Sequence, residues 1–88
     1  MDVKTAVAGT LESSDVMVSY SPSDSDLEIV VESIVVKQRG RLIKSVLEEI
    51  TSNRGVSKGI LTVQDRGALE CTLRARVETA LDRAGLTL

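Results

Sequence analysis

The chain has 88 residues, a net charge of −2 from eleven Lys and Arg against thirteen Asp and Glu, and Tyr20 as its one aromatic side chain. That length can bury one core but not two, so residues 1–88 are expected to form a single domain packed with Val, Leu, Ile and Ala. The charge has the wrong sign for neutralising duplex phosphates and a lone aromatic offers no stacking platform, which argues against nucleic acid as a partner.

One cysteine, Cys71, allows no internal disulfide. No basic start followed by an apolar run marks a secretory signal, and no segment approaches the roughly 18 apolar residues that would span a bilayer. A soluble protein of the reducing cytoplasm, with no membrane partner, is the expectation.

From Met1 to Leu11 the sequence is apolar and small, and a short first strand should end near Thr10. Glu12-Ser13-Ser14-Asp15 then breaks the apolar pattern as a turn. Val16, Val18 and Tyr20 alternate with Met17 and Ser19, as in a strand with one buried face. Ser21 to Asp26 reads as a turn because Pro22 cannot donate to a ladder, and Leu27, Ile29 and Val31 alternate beyond it. The second and third strands are therefore expected to pair as a hairpin.

Ser33 is placed to cap a helix of about five turns that carries Val36, Ile43, Val46, Leu47 and Ile50 and ends at Asn53 and Gly55. Ile60 to Gln64 is a short strand. Asp65-Arg66-Gly67 leads into a second helix with an apolar face of Leu69, Leu73, Val77, Ala80, Leu81 and Ala84, stopped at Gly85. The order β-β-β-α-β-α, with a parallel crossover through the first helix, predicts an α+β fold in two layers: a small mixed sheet covered by two helices.

Histidine is absent, so the usual activator of a serine or cysteine nucleophile is missing. Lys4, Lys37, Lys44 and Lys58 occur singly in polar contexts, and nothing in the sequence beside them marks one as a base. No residue is expected to be catalytic. Cys71 falls opposite the leucine face, beside Ala75, Glu78 and Asp82, and lacks any metal-ligand spacing, so no metal is expected. Lys37, Arg39 and Arg41 near the start of the first helix, with Glu48 and Glu49 near its end, oppose the macrodipole. Such a basic end could attract an anion, either phosphates of a bound group or an acidic patch on a partner.

Three segments carry a family resemblance. Ala6-Val7-Ala8-Gly9-Thr10-Leu11-Glu12-Ser13-Ser14-Asp15-Val16-Met17 resembles the amino-terminal signature of the citrate lyase acyl carrier proteins, the gamma subunits. Val35-Val36-Lys37-Gln38-Arg39-Gly40 is similar to that family's Val-Glu-Lys-Gln-Phe-Gly. Asp65-Arg66-Gly67-Ala68-Leu69-Glu70-Cys71-Thr72-Leu73-Arg74-Ala75-Arg76 is similar to its Asp-Lys-Gly-Ala-Leu-Asp-Cys-x-Leu-Arg-Ala-Arg. By contrast, Asp24-Ser25-Asp26-Leu27 departs from the Asp-Ser-Leu motif of pantetheine-type carriers, and the residues after it alternate with period two instead of forming a helix. The expected fold is not their four-helix one.

The resemblance implies a non-catalytic carrier whose serine holds a phosphoribosyl dephospho-coenzyme A arm, 2'-(5''-phosphoribosyl)-3'-dephospho-coenzyme A, through a phosphodiester. The family's modified serine follows Leu-Glu and carries over to Ser13. The family has Gly after it where this chain has Ser14, which makes Ser14 the rival site. The implied partners are the alpha subunit, which exchanges acetyl for citryl on the thiol, the beta subunit, which cleaves citryl to oxaloacetate, and the enzyme that attaches the arm. Glu12 and Asp15 beside the phosphodiester would tend to repel the arm toward basic pockets on those partners. Arg39 stands where the family has Phe, with its stem expected on apolar surface and its head in water. The carrier of malonate decarboxylase, which uses the same kind of arm, and a cofactor-free interaction module are the alternatives.

Overall fold

The computed structural model describes residues 3–33 and 37–86. Its elements are β1 (Ala6–Gly9), β2 (Val16–Asp26), β3 (Glu28–Ser33), α1 (Lys37–Arg54), β4 (Lys58–Asp65) and α2 (Glu70–Ala84), in the expected order. The strands form one mixed sheet with spatial order β1-β2-β4-β3. β3 and β4 run parallel and are joined through α1, while β1 with β2 and β2 with β4 are antiparallel.

Alternation decides which face is buried. Ala6, Ala8, Val16, Val18, Tyr20, Leu61 and Val63 point inward and are buried with Ile43, Leu47, Leu73, Val77 and Leu81 of the helices in one aliphatic core. The intervening Val7, Met17, Ser19 and Thr62 are exposed or half-buried, so the helices cover one face of the sheet. Each buried Leu, Ile or Val contributes about 1.5–3 kcal/mol, and with so few aromatic atoms stability comes from many such side chains. α2 ends as its sequence suggests: Gly85 adopts φ 92, and its N–H bonds back to the carbonyls of Asp82 and Leu81.

The expected hairpin between the second and third strands does not form. β2 continues through Pro22 to Asp26, and β4 lies between β2 and β3. The chain descends along one side of β4, crosses its start where the Leu27 N–H donates to the Ser57 carbonyl at 3.0 Å, and returns along the other side. β2 and β3 are joined by Leu27 alone, yet they lie on opposite sides of β4, so no ladder forms between them. The pairing of β2 with β4 shifts register between Ser21 and Asp26, an irregularity that accommodates the missing donor of Pro22.

Two further expectations need correction. Leu69 does not join the apolar face of α2; it precedes the helix in extended conformation and is 71% exposed. Arg39 does not hold its head in water, because its guanidinium pairs with the fully buried Asp65, Nε lying 3.2 Å from Oδ2. Ser33 ends β3 and donates its hydroxyl to the same carboxylate at 3.1 Å. Val36 and the rest of the link 34–36 between Ser33 and α1, where the cap was expected, lie outside the described residues.

Candidate functional site

The turn between β1 and β2 carries the two serines. It is built from three constraints. Gly9 leaves β1 at φ +93, and a Cβ there would run into the Val16 carbonyl, so only glycine lets the chain double back so tightly. Thr10 Oγ1 donates to Asp15 Oδ2 at 2.6 Å and accepts from the Glu12 N–H, while the Asp15 N–H closes on the Glu12 carbonyl at 3.1 Å. The third is tertiary: Arg76 of α2 grips Asp15 with Nε and Nη2 at 3.2 and 3.1 Å, and the backbone of Arg66 accepts from Ser14 N–H and donates to Asp15 C=O at 2.8 and 2.9 Å.

These bonds hold the turn at its ends and leave its tip free. Leu11, Glu12, Ser13 and Ser14 are exposed, and among the described residues the hydroxyl of Ser13 has no hydrogen-bond partner. Ser14 sits at φ 66, the left-handed region, with its N–H committed to Arg66. A side chain there costs about 1 kcal/mol relative to glycine. A glycine at this position would carry no such strain. Ser14→Gly is expected to raise stability by about 1 kcal/mol in urea denaturation; a decrease would show that Ser14 makes a contact worth more than the strain.

Asp15 belongs to the scaffold of the turn. Its hydrogen bonds from Thr10 and the Val16 N–H, and then Arg76, hold its carboxyl down at about 2. The charge of Asp15 is balanced by Arg76, whereas Glu12 is exposed and has no ion pair among the described residues. With the folded pKa depressed, the clamp is fully present above the ordinary carboxylate value and is lost as pH falls through the folded value. NMR signals of Ser14 and Arg76 should be unchanged from about pH 8 to 5 and titrate with a midpoint near 2; a midpoint at an ordinary carboxylate value would mean that the clamp does not form.

Below the turn lies a second, buried cluster. Asp65 accepts from Arg39 Nε and Nη2, from Ser33 Oγ and from the Ala68 N–H at 3.2, 3.3, 3.1 and 3.1 Å. Burial alone would push this carboxyl up; Arg39, the Ala68 N–H and Ser33 outweigh it and the net shift is downward. Arg39 also donates to the Ala68 carbonyl. The basic start of α1 is thus partly spent inside the molecule, and Arg41 remains exposed. Cys71 is exposed, as its helix position implies, and no cluster of three His, Cys, Asp or Glu gathers among the described residues.

The sequence located Ser13 and Ser14 but missed what holds them. Asp15 and Arg76 are 61 positions apart, and no local signal links them. Arg66 contributes through its backbone, which no residue pattern announces.

The small mixed sheet thus presents a held turn with the Ser13 hydroxyl exposed at its tip. The chain belongs to the acyl carrier protein family whose model is described as malonate decarboxylase delta subunit (MdcD), matched over residues 3–84. Among curated relatives, the citrate lyase acyl carrier protein of Enterobacter sp. (strain 638) is 48% identical over 82 residues, covering 93% of this chain and 84% of that protein. That of Streptococcus mutans serotype c is 49% identical over 86 residues, covering 96% and 84%. The chain is accordingly an acyl carrier and not itself a catalyst. Its fold matches a chain in the crystal structure of a Pseudomonas malonate decarboxylase hetero-tetramer in complex with malonate, with TM-score 0.81 and 23% identity over 93% of this chain and 84% of that one. Among the described residues no helix is long and apolar enough to cross a membrane.

Proposed function

We propose that residues 1–88 form the single carrier domain of a citrate lyase, presenting acetyl and citryl groups to its alpha and beta subunits from a phosphoribosyl dephospho-coenzyme A arm on Ser13. The observation that carries this reading is the Ser13 hydroxyl: exposed, without a partner among the described residues, and set on a turn anchored on both sides. Such a hydroxyl fits a bulky phosphodiester, because the turn need not open to receive it. Attached there, the arm supplies a thiol that takes up acyl groups.

The chain's own residues do the positioning. Asp15, Arg76 and the Arg66 backbone fix the base of the turn, so an attached group pivots about a known point and visits partner sites at high effective concentration. Glu12, exposed and without an ion pair among the described residues, discourages a phosphate from folding back onto the carrier. Intact mass of the protein purified from its native host tests the reading: a covalent adduct of the arm's mass, mapped to Ser13, is expected, and an unmodified chain overturns it.

The malonate decarboxylase carrier is the second reading, favoured by the fold match and by the family model. Identity near one half to citrate lyase carriers, against 23% to the chain of the decarboxylase complex, favours citrate lyase. Reconstitution with alpha and beta subunits separates the two: citrate cleavage is expected, and its absence beside activity with decarboxylase subunits reverses the choice.

A further inference from the structure

Leu69 breaks two rules at once. It is the N-cap of α2, at φ −66 and ψ 155, with no side-chain cap, although Ser, Thr, Asp or Asn there would bond to the free N–H groups of the first turn. It is also the most exposed of the large apolar side chains among the described residues, at 71%. Its backbone carbonyl accepts from Leu73, but nothing in the fold uses its side chain. A residue that costs the fold on both counts points to use outside it.

Its position says where. The segment 66–69 is tied to the serine turn by the two backbone bonds between Arg66 and Ser14 and Asp15, so Leu69 is carried at the same end of the molecule as Ser13. Leu11, two residues before Ser13, is a second exposed leucine there, at 46%. We infer that Leu69, together with Leu11, forms the apolar docking contact for the enzyme that attaches the arm; this rests on the reading of Ser13 as the attachment site. That enzyme must bring its active site onto the serine, whereas a partner reached by a long arm can dock elsewhere.

The chemistry of attachment supports this choice. The Ser13 Oγ–H bond breaks and an Oγ–P bond forms as a phosphoanhydride bond in an activated arm precursor breaks; the electron pair leaves with the departing phosphate. The proton needs an acceptor, and the chain has no histidine to take it, so the base is assigned to the enzyme, which must then reach the Ser13 hydroxyl at close range. Such an enzyme also needs cationic groups for the phosphates. A recess with an apolar floor and a basic rim fits the two leucines and the free carboxylate of Glu12, while Asp15 is already balanced by Arg76.

Leu69→Ser separates docking from folding, because it restores a good cap. The attaching enzyme and the activated arm precursor are incubated with each carrier, and loading is followed by intact mass. The expected result is a melting temperature equal to or above wild type, with kcat/KM for loading at least tenfold lower through KM; Leu69→Met should load normally. Loading of Leu69→Ser at the wild-type rate overturns the inference, as does a fall in melting temperature, which would make the leucine structural. Normal loading with weakened assembly onto the alpha and beta subunits also overturns it, by assigning the patch to them. Failure of wild type itself to load would instead refute the reading of Ser13.

Discussion

Ser13→Ala is expected to abolish loading of the arm completely, with the intact mass staying at the bare value after treatment with the attaching enzyme, while Ser14→Ala gains the arm. The hydroxyl of Ser13 is exposed and has no partner among the described residues, so its removal should change stability by less than about 0.5 kcal/mol. Loss of citrate cleavage in the reconstituted complex would then report the lost attachment and not a damaged fold. The opposite pattern, an arm on Ser13→Ala and none on Ser14→Ala, would move the site by one residue. The geometry disfavours that outcome: the Ser14 backbone is locked by Arg66 and lies in the left-handed region, whereas Ser13 stands at the free tip.

The largest effect on stability is expected at Arg39. Arg39→Leu leaves the Asp65 carboxylate fully buried with the Ser33 hydroxyl and the Ala68 N–H as its remaining donors among the described residues. Removing one partner of a buried pair costs about 3 kcal/mol, since the remaining charge has lost its compensation. Urea denaturation of Arg39→Leu should show this, and the double variant Arg39→Leu, Asp65→Asn should recover part of it, because a neutral amide can still accept from Ala68. A loss below about 1 kcal/mol for the single variant would mean that Asp65 is not held by Arg39. The change should also loosen the serine turn. Asp65 directly precedes Arg66, and the Arg66 backbone is what holds Ser14 and Asp15.

Period-two alternation at Val16, Val18 and Tyr20, helical spacing at Ile43, Val46, Leu47 and Ile50, and the stop at Gly85 were enough to place the elements and their order. These signals are local, arising from the repeat of strand or helix meeting a single buried side. The candidate serine was legible for the same reason, as a polar break between two apolar runs, and three motifs in order supported the carrier reading. Leu69 shows where such patterning fails. Its spacing fits the leucine face, but α2 begins only at Glu70, and a residue still in extended conformation points away from that face.

What the sequence by itself determined is the kind of element at each stretch, the lack of any histidine to activate Ser13, and the turn on which that serine lies. Tertiary structure alone decided that β4 enters between β2 and β3, that Arg76 closes on Asp15 from 61 positions away, and that Arg39 reaches the buried Asp65. The physical reason is range. Backbone preference and apolar spacing act over a few residues and are written in local order, whereas strand insertion and charge pairing depend on which distant groups the shared core brings together.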